Sequence, residues 1–488
     1  MAFLRLKPLD DHMRNAGQAL PKTLSWPHLI ALGIGAIIGM GIFTLTGIGA
    51  NLAGPGVILS FALAGIVCAL AALAYAEVST LIPAAGSAYT YTYSTLGEMI
   101  AWSVGWSLIL EYGLGCSAVA VGWAAHMNGL LEAWGVHIPA MWLAGPMEGG
   151  VVNILAVVIV LVITGLLMIG ARESALVNIF LVAIKLIALG AFIFISLPAI
   201  KTGNYQPFMP EGFFAHLKMV DGHPLLGPDH QPVKYGVMAA AAIMFFAFYG
   251  FDAVSTSAEE AKNPGRDLTI GIIGSMVVCT IFYMVVGACV VGVLPYTEVA
   301  KSNGEPLPYI LRLMHQPFVA DMVGIAAVLA LPSVLLVFMY GQSRILFVMA
   351  RDGLIPKALS KLDNRGLPVI MTLLTGLFIA AFAGLVPLQQ ITEMANTGTL
   401  VAFIAVSLAM MILRVKRPDL KRTFKVPVFW LVGVLAIGGC IFLFTSLNVS
   451  TMIYFAIWNV IGVAIYFLFG FWNSRLRNGI APEGSVGE

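Results

Sequence analysis

Residues 33–41 read Gly33-Ile34-Gly35-Ala36-Ile37-Ile38-Gly39-Met40-Gly41, four glycines within the first long apolar stretch of the chain. Glycine weakens a helix interior because it loses the most backbone freedom on folding. Within hydrocarbon, a backbone that leaves the helix must find new partners for its N–H and C=O groups. A glycine-broken membrane helix therefore lines a cavity, where the released groups can hold a polar solute. The run reads as a binding site rather than as an anchor.

The whole chain has 488 residues, 59% hydrophobic and 10% charged, with a mean hydropathy of +0.93. A soluble protein carries roughly a quarter charged residues. Apolar stretches of about 20 residues, enough to cross a bilayer, recur from end to end. The expected fold class is an all-α polytopic membrane protein held in the lipid bilayer, and no nucleic-acid partner is expected. Residues 1–26 are polar and basic and lack the apolar core and cleavage site of a signal peptide. The five cysteines, Cys68, Cys116, Cys279, Cys289 and Cys440, lie in apolar stretches without metal-ligand spacing and read as small hydrophobes. No phosphate-binding loop, metal-ligand cluster or nucleophile motif is present, and no polar stretch is long enough for a nucleotide-binding domain. An enzyme, an ATP-driven pump, a metal and a cofactor are thus not expected.

Twelve spans are predicted, at 27–50, 55–81, 97–129, 152–171, 174–199, 236–258, 268–295, 322–349, 367–387, 394–413, 428–446 and 450–472. The positive-inside rule tests the count. With the N-terminus inside, 20 cations fall inside, among them Arg5, Lys7, Arg14, Lys22, Arg172, Lys357, Arg365 and those of residues 414–427. Only Lys201, Lys218, Lys234, Lys301 and Arg312 fall outside, and Lys185 lies in mid-span. Both termini are therefore expected in the cytoplasm, at the inner or plasma membrane. The outer loop 200–235 holds His216, His223 and His230, whose even spacing hints at a metal, but Pro224 and Pro228 break any aligning helix, so solvated loop histidines are expected. The basic loop 414–427 sets topology, with anionic lipid as the alternative reading.

A second interruption, Phe245-Phe246-Ala247-Phe248-Tyr249-Gly250-Phe251-Asp252, falls in the sixth span and is followed by Ser255, Thr256, Ser257, Glu259 and Glu260. Breaks in spans one and six, five apart, predict a pair of inverted five-helix repeats. The organisation is then an N-terminal tail 1–26, a first repeat 27–199, an outer loop 200–235, a second repeat 236–413, peripheral helices 428–472 and a C-terminal tail 473–488. Half-helix N-termini suit a carboxylate, and unwound carbonyls suit an ammonium group. A site offering both fits an α-amino acid.

Two charges lie inside the spans. Lys185 sits in an apolar part of span five, where a lysine costs roughly 2.5–3.5 kcal/mol to insert. It is either a structural ion pair or a fixed or titratable charge standing where another transporter binds sodium. Glu111, midway along span three, is either a proton carrier favoured in its neutral form by desolvation or a structural hydrogen-bonding acid. Glu77 and Asp252 lie nearer span ends and are weaker candidates, and His28 and His126 are also near span ends. Tyr89, Tyr91 and Tyr93 read as one side of an extended stretch or as an interfacial aromatic belt.

The run from Gly33 to Phe43 resembles the first-helix signature of the amino acid–polyamine–organocation superfamily. Residues 246–267, FAFYGFDAVSTSAEEAKNPGRD, and 340–357, YGQSRILFVMARDGLIPK, resemble its cationic amino acid transporter branch. The resemblance covers all twelve spans. It implies the leucine-transporter fold, with substrate held by backbone around Ile37, Ile38, Gly39, Met40 and Gly41 and near Phe246, Ala247 and Tyr249. It also implies that Phe246 is an aromatic gate, that Lys185 reaches the first and eighth helices in place of sodium, and that Glu111 is the branch's third-helix acid. Leu331 matches a side-chain pocket position and is apolar, as is Met40, which favours neutral over cationic substrates. The expected function is a sodium-independent, proton-coupled importer of L-amino acids. A cationic amino acid uniporter or exchanger is the alternative, and an amino-acid-binding membrane sensor is the competitor of another class.

Overall fold

Apolar segments of this length satisfy their backbone polar groups within helices, and the computed structural model is mostly helical with no closed sheet barrel. It describes residues 5–8, 24–82, 86–170, 175–227, 231–256, 261–356, 359, 361, 363 and 367–478. Arg14, Lys22, Arg172, Pro228, His230, Ser257, Glu259, Glu260, Lys357, Arg365 and the C-terminal tail past residue 478 lie outside the described residues.

The first broken segment divides into α1 (Trp26–Ile37), a π-helical turn (Gly41–Leu45) and α2 (Thr46–Ala53). Gly54 then takes φ +60°, a left-handed conformation that glycine adopts freely, and the chain turns into α3 (Val57–Leu81). Next come α4 (Ser87–Thr95), α5 (Glu98–Ala133), α6 (Ile154–Met168) and α7 (Ala175–Ser196). The 200–235 loop carries four two-residue strands, β1 (His216–Leu217), β2 (Met219–Val220), β3 (His223–Pro224) and β4 (Lys234–Tyr235). They pair antiparallel as β1 with β4 and β2 with β3, the latter through Asp221-Gly222, both at positive φ as a tight two-residue hairpin turn requires. The second broken segment is α8 (Val237–Met244), a 3-10 turn (Phe245–Phe248) and α9 (Phe251–Thr256). It is followed by α10 (Pro264–Val293), α11 (Tyr296–Val299), α12 (Pro306–Leu313), α13 (Pro317–Arg351), α14 (Val369–Leu385), α15 (Leu388–Lys416), α16 (Phe429–Ser446) and α17 (Val449–Ile465).

A helix lies in each of the twelve predicted segments. Among the described residues, 8 helical stretches are long and apolar enough to cross a membrane. Trp26–Ile37, Ile154–Met168, Val237–Phe248 and Val369–Leu385 are shorter apolar helices. One stretch, Gly41–Leu81, has 41 residues, about two spans' worth, and the Gly54 turn divides it. The chain is an integral membrane protein.

The long α5 packs against α13 and α15 in the interior, while α10 packs against α1 and α3. Val449–Asn473 is the least buried of the span-length stretches. Both described chain ends meet on one face. The Glu98 N–H donates to the Arg5 carbonyl at 3.1 Å and the Arg475 N–H to the Asp352 carbonyl at 3.1 Å, while Lys7 Nζ reaches Asp352 Oδ1 at 2.8 Å. On the opposite face the 200–235 loop approaches α11, with Pro210 and Tyr296 both against Gly54.

The tyrosine trio departs from expectation. Tyr89, Tyr91 and Tyr93 lie in α4 and are buried, in a helix rather than an extended stretch. A buried tyrosine needs a partner for its hydroxyl: Tyr89 donates to Asp352 Oδ2 at 2.8 Å and Tyr93 to Glu98 Oε2 at 3.0 Å. The basic loop is also partly structural. Arg414 grips the buried Glu77 through Nε (2.6 Å) and Nη2 (2.8 Å), Arg422 Nε joins at 3.1 Å, and the Val426 N–H donates to the same carboxylate at 2.7 Å. Lys416, Arg417, Lys421 and Lys425 stay exposed.

Candidate functional site

α1 stops at Ile37, and Ile38 takes an extended conformation (φ −72°, ψ 97°). A helix that stops leaves its last carbonyls without intrahelical donors, and two of those here, at Gly35 and Ile37, are met by side chains from other helices. The Ile34 carbonyl accepts from the Ile38 N–H at 2.8 Å. The Gly35 carbonyl accepts from Lys185 Nζ at 2.8 Å, which sets a positive charge at the negative end of a half-helix. The Ile37 carbonyl faces the Tyr283 hydroxyl of α10 at 2.8 Å. The Ala36 carbonyl lies against Gly250, whose φ is +102° and where a Cβ would sit 2.7 Å from that oxygen.

The two broken segments touch. A Cβ on Gly41 would lie 2.3 Å from the Cα of Ala247, so only glycine permits this approach. Tyr283 sits where they meet, its hydroxyl 2.9 Å from the Ala247 carbonyl as well. One phenol proton serves one carbonyl at a time, which leaves the other able to accept from a third donor. On the far side of the gap, Met40 and the π-helical turn begin the second half-helix, whose first N–H groups have no intrahelical partner.

Apolar side chains surround this junction. Met40 is buried and seated on α5, its Cγ 2.5 Å from where a Gly122 Cβ would be. Gly39 faces Val334 of α13, and Leu331, fully buried, lies three residues earlier on that helix. Phe246 packs near Gly115 of α5, beside Phe338, with its ring 4.5 Å from that of Tyr249. Tyr249 in turn donates to Asn396 Oδ1 of α15 at 2.7 Å, and Asn396 Nδ2 donates to the Ala242 carbonyl at 2.7 Å.

Glu111 is buried on α5 beside Gly398 of α15, and its Oε2 has no protein partner. Its neighbour Tyr112 donates to Asp252 Oδ2 of α9 at 2.7 Å, which ties the second broken segment to α5. Ile37, Ile38, Gly39, Met40, Gly41, Phe246, Ala247, Tyr249 and Lys185 thus gather around the two breaks, with Leu331 on the flanking helix and Glu111 near Asp252. The histidines His216 and His223 stand exposed on β1 and β3.

Residues 24–472 match the family model described as amino acid permease. The chain belongs to the amino acid permease family. It is similar to a branched-chain amino acid permease, BcaP, of Bacillus subtilis (strain 168), 43% identical over 483 residues, covering 98% of this chain and 99% of that protein. It is similar to the methylthioribose transporter of the same organism, 39% identical over 482 residues, with 98% and 99% covered. It also resembles the vacuolar cationic amino acid transporter 2 of Arabidopsis thaliana, 37% identical over 425 residues, 86% of this chain and 64% of that one. This permease is a transporter and not an enzyme.

Sequence reasoning did not single out Tyr283 or Asn396. Tyr283 is one hydroxyl in a long apolar helix, and Asn396 sits among Thr392, Thr397 and Thr399. Neither carries a spacing that would mark it, because each acts on backbone carbonyls far away in the chain.

Proposed function

We propose that this permease is a secondary active transporter that imports neutral L-amino acids, branched-chain ones foremost, with protons and without sodium. The observation that carries this reading is the junction at Gly41 and Ala247, where free helix ends and carbonyls from both breaks converge. The substrate carboxylate meets the N–H groups of Met40 and Gly41, which open the second half-helix. Its ammonium group meets the Ile37 and Ala247 carbonyls, one of which Tyr283 leaves open. The side chain lies against Met40, Phe246 and Leu331, which offer no acid to a guanidinium. The Bacillus subtilis relative named for branched-chain amino acids supports the same preference.

The proposed organisation is twelve spans with inverted repeats 27–199 and 236–413, helices 428–472 at the periphery, and the face of the chain ends in the cytoplasm. The excess of cations on that face supports this orientation. Lys185 stands at the Gly35 carbonyl as the charge that replaces sodium. Glu111, with an unpartnered carboxylate oxygen, is the candidate proton carrier.

Uptake into proteoliposomes tests the reading. Leucine, isoleucine and valine should accumulate when the outer solution is acid, equally in sodium and in potassium. Accumulation that ignores the imposed pH gradient refutes proton coupling, and arginine displacing leucine at equal concentration refutes the substrate class. Methylthioribose belongs in the same panel because the second Bacillus subtilis relative is named for it. Lys185→Ala should abolish gradient-driven uptake while leucine still binds; wild-type accumulation in this variant removes Lys185 from coupling. Glu111→Gln should flatten the pH profile of uptake, and an unchanged profile makes Glu111 structural.

A further inference from the structure

A buried polar cluster on the face opposite the chain ends has no part in the substrate junction. Glu305, in the turn between α11 and α12, lays its carboxylate on α5, with Oε2 2.0 Å from where a Gly129 Cβ would be. Arg312 of α12 donates through Nη1 to Glu305 Oε1 and through Nη2 to the Gly129 carbonyl at 3.2 Å. The same turn rests on the first broken segment. Ser302 Oγ is 3.0 Å from the position of a Gly47 Cβ, and Thr44 Cγ2 is 3.6 Å from that of a Gly304 Cβ. His126 of α5 lies one helical turn from Gly129, with Nδ1 2.9 Å from the Gly122 carbonyl and its ring edge-on to Phe43 at 6.1 Å.

Four atoms of this cluster are buried without a protein partner: Glu305 Oε2, Thr44 Oγ1, His126 Nε2 and Arg312 Nε. Unpaired buried polar atoms are costly and call for an explanation. An ionised carboxylate can only accept, whereas a protonated one can also donate. The positively charged guanidinium of Arg312 disfavours a metal ion at this carboxylate, so the cation that fits is a proton.

We propose that Glu305 is a proton-binding site of a gate on this face. Seating the 296–313 hairpin on α5 takes up one proton from the solution on that side, and lifting the hairpin releases it. The hairpin touches both the first broken segment and α5, so its seating is linked to closure over the substrate junction.

The sign follows from burial. In the seated arrangement, burial, only partly offset by Arg312, holds the Glu305 carboxyl up at about 7. Glu132 of α5 and Asp321 of α13 raise it further. Lifted into water, the carboxyl returns to the ordinary glutamate value of about 4.3. The seated state has the higher value, so its advantage is complete in acid and is lost as pH rises through about 7. Between pH 8 and pH 6 the seated-to-lifted ratio should grow about tenfold.

Hydrogen exchange of the full chain in detergent tests this, read on peptides covering 296–313 at pH 6, 7 and 8 and corrected for the intrinsic pH dependence of exchange. Wild-type protection of the hairpin should rise about tenfold from pH 8 to pH 6. Glu305→Gln should show no such rise, and Arg312→Gln should move the midpoint to higher pH. Flat protection in the wild type, or an unchanged pH response in Glu305→Gln, overturns the proposal. If Glu305→Gln fails to fold, the wild-type and Arg312→Gln titrations still decide it. The readout needs no substrate, so a wrong assignment of substrate or of Glu111 leaves this test intact.

Discussion

A Cβ at Gly41 would lie 2.3 Å from the Cα of Ala247, whereas one at Gly39 would meet Val334 Cγ2 at 3.6 Å. The first is an impossible approach to backbone, and the second is ordinary contact. Gly41→Ala should therefore push the two broken segments apart, costing about 1–3 kcal/mol as overpacking does, and should lower the thermal midpoint of the purified protein. Gly39→Ala should leave that midpoint within a degree or two of wild type. Equal midpoints for the two variants would deny the close approach. The glycine run was legible as a break because glycine spacing in an apolar stretch is a local signal. Which of its glycines is sterically required was not legible, since that depends on Ala247, about two hundred positions away.

Some elements of this fold are held by clamped ends as well as by their apolar faces. Glu77 closes the end of α3 by accepting from Arg414, Arg422 and the Val426 N–H. Removing one member of a buried ion pair leaves the others uncompensated and costs about 3–5 kcal/mol. Glu77→Gln should accordingly lower the yield of folded protein and its thermal midpoint, whereas Lys421→Gln, at an exposed position, should change neither. Similar losses from both variants would mean that the loop acts through net charge alone. Charge counting identified 414–427 as a basic loop, but it could not separate cations spent on Glu77 from those facing water. Tyr89 of α4 shows the same limit: its acceptor, Asp352, lies far outside the window that alternation or periodicity reads.

At the scale of the whole molecule, hydropathy carried the helical membrane class and the places of the two breaks, because lipid leaves a backbone few ways to satisfy itself. That the two breaks meet, and that one tyrosine serves both, became visible only with the chain folded. A ligand held between both segments stabilises the assembled protein by mass action, about 2.7 kcal/mol at a hundred times its dissociation constant. Leucine should therefore raise the thermal midpoint of the purified permease more than arginine does, and the reverse order would favour cationic substrates. The small hairpin of β2 and β3 has a practical use at this scale. Its Asp221-Gly222 tip is exposed and lies on the face away from the chain ends, which brace Asp352 and Glu98. A rigid soluble domain grafted into that tip would give imaging studies a fiducial mark that leaves those braces untouched.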